Sequence, residues 1–259
     1  MSIDLYYTPL GAPSRAVMMT AKMVGVKLNL KTVDLMAGEH LKPEFLKLNP
    51  QHTVPVLDDR GFVLTESRAI CAYLVQKYGS HDGLYPKLPK LRAAVDERLY
   101  FDLSVFYHTF ANYYVRRITL KPNSSHRITW WLILIEQYPV VFRGESQLSA
   151  EKEEEMKNAH KLLDFFLENK DYVAGGEALT IADISMLASA TSMEAAVDNL
   201  FDEYPNIKRW IQLCKTKIDN YVDLNQIGAD IFGQLCKCQL VKLNQNWIRI
   251  QFSFCIVWN

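Results

Sequence analysis

Apolar positions in the first eighty residues follow two alternating periods. Residues 3–8 (IDLYYT) read as a short strand. A turn at Pro9-Leu10-Gly11-Ala12-Pro13 leads into a helical pattern over 14–24 that ends at Gly25. Residues 27–33 alternate as a second strand, and 41–48 form a short helical patch. Residues 54–57 and 61–64 read as strands paired across Asp58-Asp59-Arg60-Gly61, and 67–78 as a helix stopped by Gly79.

From residue 91 the strand period vanishes. Residues 91–115 are helical and rich in aromatics, and 150–169 form a charged helix with an apolar seam at Met156, Leu162, Leu163, Phe166 and Leu167. Thr180-Ile181-Ala182-Asp183 has the spacing of a capping box, with Leu179 and Ile184 placed as a hydrophobic staple. The helix it opens runs through Ala196, and 207–217 is another. The order β-α-β-α-β-β-α, then helices alone, predicts an α/β thioredoxin-like domain followed by an all-α domain. The expected boundaries are 1–81 for the first domain, 82–91 for a Pro- and Gly-containing linker, and 92–232 for the second. Two segments fit neither pattern: 119–137, an apolar patch between helices, and a tail over 233–259 whose end is aromatic and uncapped. Loops of such length are functional or disordered.

Lys plus Arg and Asp plus Glu number 29 each in 259 residues, a balance that favours neither nucleic acid nor a membrane surface. The longest apolar run, ITWWLILI at 128–135, is far shorter than the ~20 residues of a membrane helix. The N-terminus has no signal-peptide pattern. Five cysteines form no disulfide framework, and Cys236-Lys237-Cys238 is too short and isolated for zinc, so a cytoplasmic protein without a metal is expected. Asn123-Ser124-Ser125 is a glycosylation sequon that needs a secretory route to matter.

The candidate chemistry lies in Gln51-His52-Thr53-Val54-Pro55 and Glu66-Ser67-Arg68. A proline has no N–H for a ladder and fits just before a strand, often as a cis bond in a tight turn. Val54 would then keep its own N–H and C=O for another peptide backbone. Glu66-Ser67 sets a carboxylate, a hydroxyl and free N–H groups at a helix start, a site for a ligand with both an ammonium and a carboxylate.

These segments, with LYYTP, AP.R, DLMAGEHLKPEFLKLNPQHTVPVL, ESRAICAYLVQKYG, LYPK, RLYFDLSVFY and LTIADIS, resemble the insect glutathione transferases of the delta class, with epsilon-like touches. The resemblance covers roughly residues 2–117 and 140–230. It implies a homodimer that conjugates glutathione, as co-substrate, to hydrophobic electrophiles. It also implies that Val54 beside cis-Pro55 holds the cysteinyl backbone, and that Glu66 and Ser67 hold the γ-glutamyl group. Arg68 would lie beside that carboxylate or at the dimer contact, and His40 and His52 would take the glycyl carboxylate. Tyr107, Phe110 and Tyr113 would line the electrophile pocket, whereas Thr180 and Asp183 are structural. By the same resemblance, 119–137 is either foreign sequence or a lid.

The chain departs from the family at the thiol. Gly11 stands at the family's catalytic Ser, and Ser14 at a Cys. Tyr7 is a candidate substitute: mammalian cytosolic classes use a Tyr in about that place, though delta enzymes carry one unused. Ser14 is a second candidate, and the N–H groups of Gly11 and Ala12 at a helix N-terminus are a third. A non-catalytic protein that binds glutathione and sequesters hydrophobic ligands is the alternative function.

Overall fold

The computed structural model describes residues 3–113 and 150–244. β1 (Ile3–Tyr7), α1 (Ala12–Met23), β2 (Leu28–Thr32), α2 (Pro43–Leu48), β3 (Val56–Asp59), β4 (Phe62–Leu64) and α3 (Ser67–Tyr78) follow in that order, the thioredoxin-like arrangement expected. The sheet order is β2-β1-β3-β4, with β1 and β2 parallel and the other pairs antiparallel. Alternation sorts the side chains of β1. Ile3, Leu5 and Tyr7 enter the large core with α1 and α3, while Tyr6 turns to Phe45 of α2, ring to ring at 6.3 Å. The hairpin from β3 to β4 turns through Arg60 and Gly61, both at positive φ, as a two-residue primed turn requires. Asp58 Oδ1 accepts the Gly61 N–H at 2.7 Å.

β3 begins two residues later than the alternation predicted. Val54 and Pro55 precede it, joined by a cis peptide bond, so neither belongs to the ladder.

The helical part starts at α4 (Pro89–Phe101), two residues before the expected linker ends. The linker is pinned where Ile181 N–H meets Leu84 O at 2.9 Å. α4 continues through one π-helical turn, Asp102–Phe106, into α5 (Tyr107–Tyr113). α6 (Ala150–Phe166), α7 (Ile181–Ala196) and α8 (Pro205–Lys217) follow. A second π turn, Val222–Gln226, leads into α9 (Ile227–Asn244), which runs across residue 232, where the helical domain was expected to end. α7 is buried on almost every side, as a central helix must be. Its start is a capping box: Asp183 Oδ2 accepts the Thr180 N–H at 2.8 Å and the Thr180 hydroxyl at 2.9 Å. Asp183 Oδ1 takes Val173 N–H and the Trp210 indole N–H, so one buried carboxylate ties α7 to the preceding loop and to α8.

Residues 119–137, the sequon at Asn123 and the aromatic end of the tail lie outside the described residues. Among the described residues no helix is long and apolar enough to cross a membrane, and no cluster of three His, Cys, Asp or Glu could hold a metal.

Candidate functional site

Strand direction brings the candidate residues to one end of the sheet. Tyr6 near the end of β1 pairs with Val56 at the start of β3, and Leu57 pairs with Leu64 at the end of β4. The β1–α1 turn, the Val54-Pro55 bond and the start of α3 therefore share an edge. Parallel pairing of β1 with β2 adds the segment after β2, where Val33 N–H meets Tyr7 O at 2.8 Å. That segment leads to His40.

His40 and His52 come together, ring centroids 6.3 Å apart, although eleven residues of chain lie between them. Burial first, and then the neighbouring His52, hold His40 below the ordinary imidazole value. Its Nδ1 is buried with no hydrogen-bond partner among the described residues. His52 adopts φ 47°, a left-handed position. Asn49 supports this loop. It is buried, donates Nδ2 to Thr53 O at 2.9 Å and Thr53 Oγ1 at 3.1 Å, and accepts Gln51 N–H on Oδ1 at 3.0 Å. Sequence reasoning missed Asn49. Its signal was an Asx residue before a proline in a turn.

Glu66 is the N-cap of α3 with φ 67° and ψ 106°. A non-glycine residue there carries strain of about 1–3 kcal/mol, which persists where the surroundings impose it. The result is an exposed carboxylate directly before buried Ser67 and the free N–H groups of the first helical turn. Arg68 points away from solvent. Its Nε and Nη2 donate to Asp102 Oδ2 at 3.0 and 2.6 Å, Nη1 reaches Ser67 Oγ at 3.3 Å, and the guanidinium stands 4.9 Å from the Tyr107 ring centroid. Arg68 is thus fastened between Ser67 and Asp102. Asp102, fully buried in the first π turn, was not singled out from sequence. Burial pushes its carboxyl up, and the guanidinium opposes this.

At the thiol-facing turn, Gly11 is the N-cap of α1 with φ −78° and ψ 112°, which any residue adopts. A Cβ there would lie 3.1 Å from Thr8 Cγ2 and 3.4 Å from Ser14 Oγ. The site admits a small side chain after a shift of a few tenths of an ångström, so the fold does not demand glycine. The expectation for the turn amides needs one correction. Gly11 N–H donates to Thr8 O at 3.1 Å and is occupied, which leaves Ala12 N–H as the helix-end donor beside it. Ser14 is fully buried, with Oγ accepting Thr8 N–H at 3.4 Å, so it stitches the turn. Tyr7 is 8% exposed within the large core.

Of the aromatic stripe, Tyr107 is half-buried under Arg68. Phe110 is a core residue, 5.9 Å from Tyr107 and 5.4 Å from Phe232 of α9, centroid to centroid. Tyr113 ends α5, and its side chain lies outside the described residues.

Comparison with known proteins agrees with this fold. Residues 1–76 match the family model of the glutathione S-transferase N-terminal domain, and residues 129–216 match that of the C-terminal domain. The second match begins inside the 119–137 segment set apart above. A Nilaparvata lugens delta-class glutathione transferase is 44% identical, with 92% of this chain and 99% of that one covered at a TM-score of 0.78. A housefly (Musca domestica) epsilon-class enzyme is 33% identical, with 92% and 98% covered at 0.76. A Drosophila mojavensis glutathione transferase homologue, solved with bound glutathione, is 33% identical, with 92% and 97% covered at 0.75. With the thioredoxin-like sheet, the helical domain and sequence identity running together over nearly the whole chain, this protein belongs to the glutathione S-transferase family.

Proposed function

We propose that this chain binds glutathione at the sheet edge and conjugates its thiol to hydrophobic electrophiles in detoxification, as a cytoplasmic homodimer. The observation that carries the reading is the convergence of Val54-Pro55, the strained Glu66-Ser67 corner, the His40–His52 pair and the N-terminus of α1 at one end of the sheet. Glutathione presents a group to each. Val54 N–H and C=O pair with the cysteinyl backbone. Glu66 takes the γ-glutamyl ammonium, and Ser67 with the first-turn N–H groups of α3 takes its carboxylate. Arg68, held by Asp102, orients Ser67 from behind. The orphaned nitrogen of His40, with His52, takes the glycyl carboxylate, whose charge offsets what lowers His40.

The cysteinyl sulfur then lies over the α1 N-terminus. A thiol of pKa about 8.5 is only a few per cent thiolate at neutral pH. The helix dipole and Ala12 N–H stabilise the anion. The proton leaves to solvent, the sulfur lone pair forms the C–S bond, and the leaving group departs with its bonding electrons. The electrophile approaches along Tyr107, with Phe110 and Phe232 packed behind it.

Absence of a hydroxyl at Gly11 favours a second reading, in which the protein binds glutathione and sequesters hydrophobic ligands without turnover. Conjugation of a chlorodinitrobenzene-type substrate separates the two. The transferase reading expects a wild-type rate above buffer. A wild-type rate equal to buffer, restored by Gly11→Ser, would leave only the binding protein. Loss of the wild-type rate in Tyr7→Phe would assign the thiol donor to Tyr7 instead of the turn amide.

A further inference from the structure

Like Arg68, Arg15 reaches from the thioredoxin-like domain into the helical domain, and no role at the site has been assigned to it. Its side chain is buried. A guanidinium has five N–H donors, and each finds an acceptor here. Nε donates to Asn225 Oδ1 at 2.9 Å. Nη1 donates to Pro9 O at 3.1 Å and to Leu10 O at 2.9 Å. Nη2 donates to Ala188 O at 3.0 Å and to Ser192 Oγ. None of these acceptors is a carboxylate. Burial holds the group down to about 10, and the ionisable groups that face it (Tyr221, Tyr107 and Asp230) push the other way. The cation is thus kept in place by neutral oxygens, which fix direction as well as charge.

Two of those oxygens are successive carbonyls of the thiol-facing turn. The Leu10–Gly11 peptide is consequently held at both ends: its C=O by Arg15 Nη1, its N–H by Thr8 O. The next peptide is held through its oxygen, because Gly11 O accepts the Arg15 N–H at 3.1 Å. In a planar trans peptide the N–H points opposite to the C=O. Ala12 N–H is therefore aimed out of the helix end, toward the space above the turn. The outer side of the turn meets α9, where a Cβ on Gly228 would lie 2.3 Å from Pro9 O and 2.8 Å from Arg15 Cδ. Asn225 is itself held, donating Nδ2 to Thr191 Oγ1 at 2.9 Å and to the Tyr221 hydroxyl at 2.8 Å.

We infer that Arg15 is a positioning residue for thiol activation: with Asn225 and Gly228 it locks residues 9–11 against the helical domain, so that Ala12 N–H stays directed at the glutathione sulfur. The inference rests on the transferase reading and adds to it that residues 222–228, beyond the matched C-terminal family domain, belong to the machinery of the site. Because Gly11 supplies no hydroxyl, the direction of one backbone amide matters more here than it would beside a serine.

The test is the pKa of the thiol in the binary complex of the full chain with glutathione, read from ultraviolet thiolate absorbance. It is paired with the pH profile of kcat/KM and with thermal melting. Arg15→Lys keeps the charge and loses the fork. Ser192→Ala and Asn225→Ala each remove one acceptor. Gly228→Ala removes none and pushes on Pro9. The expected result is a bound-thiol pKa about 0.5–1 unit higher in Arg15→Lys and Gly228→Ala, a loss of roughly 3- to 10-fold in kcat/KM on the acid side. The KM for glutathione should stay within about twofold, since KM reports binding that is shared by ground and transition states. Should Arg15→Lys fail to fold, Gly228→Ala and Asn225→Ala carry the test. A depressed wild-type thiol pKa that the folded variants leave within about 0.2 unit, whatever their melting temperature, overturns this inference alone. A wild-type thiol at its solution pKa overturns amide activation and this inference together.

Discussion

Gly11 and Glu66 are opposite cases of a residue against its backbone. Gly11 occupies an extended position that needs no glycine, whereas Glu66 occupies a positive-φ position that disfavours a glutamate. Each yields a prediction. A serine hydroxyl at 11 would donate to the thiolate, and a hydrogen bond to a charged group is worth ~1.5–3 kcal/mol. Gly11→Ser should therefore raise kcat/KM by roughly 10- to 100-fold at neutral pH and shift its profile to lower pH, with glutathione affinity little changed. Steady-state kinetics across pH checks this. Glu66→Gly relieves the strained φ and should stabilise the fold by about 1 kcal/mol in urea unfolding. It should also weaken glutathione binding about tenfold or more by calorimetry, because the ammonium loses its carboxylate. A variant that is both less stable and equally tight would contradict this account of the corner.

Among elements, the two π turns share a role that no periodicity announces. Asp102–Phe106 supplies Asp102 to Arg68, and Val222–Gln226 supplies Asn225 to Arg15. Each wider turn thus offers a buried polar residue to an arginine of the thioredoxin-like domain, consistent with the frequent occurrence of π-bulges at functional sites. The start of α7 was, by contrast, legible from four letters, since a capping box is local chemistry. Its Asp183 does more than its motif requires, reaching Val173 and Trp210 as well. Thr180→Ala should accordingly cost about 1 kcal/mol, and Asp183→Ala about 3–5 kcal/mol because several buried donors lose their acceptor. Chemical denaturation that gave equal losses for the two would reduce Asp183 to a plain cap.

For the whole molecule, stability in acid should fall in two steps. His160 is buried among Phe106, Phe201 and Tyr204, and burial pulls its pKa to about 4 from 6.5. It is neutral in the fold while the unfolded chain takes the proton. Its contribution is complete above pH 6.5 and is lost as pH falls from 6.5 through 4. Burial opposes ionisation of Asp59, but hydrogen bonds from Lys77, Tyr73 and Tyr78 outweigh it and take the carboxyl to about 2 from 3.8. That contribution is present above 3.8 and is lost as pH falls toward 2. Unfolding free energies in urea at a series of pH values should show His160→Phe flattening the first window and Asp59→Asn the second. Salt should weaken only the second, since the Lys77 ammonium is partly exposed.

What was readable in advance, and what was not, divides by the range of the physics involved. Alternation, helical period, glycine stops and the capping box act within a few residues. On these terms β1, β2, the β3–β4 hairpin, α1, α3 and α7 could be placed to within a residue or two, and the sheet-plus-bundle fold followed from their order. Glu66-Ser67 by itself suggested only a ligand with an ammonium and a carboxylate, and the family resemblance of Gln51–Pro55 and Glu66–Arg68 implied that this ligand is glutathione. The start of β3 two residues late was beyond reach, because pairing with β1 and β4 decides where a ladder begins. The partners of Arg68 and Arg15 were equally hidden, at separations of 34 and 210 residues for Asp102 and Asn225. The continuation of the chain as α9 depends on small residues, Gly228 against Pro9 and Gly233 against Ala195, whose value is the closeness of a neighbour that only the fold supplies. By itself, then, the sequence determined the local elements, their order and the chemical groups proposed to receive glutathione. Tertiary structure decided which of those groups are free to face a ligand, because a hydrogen bond or a close contact between distant segments has no period along the chain.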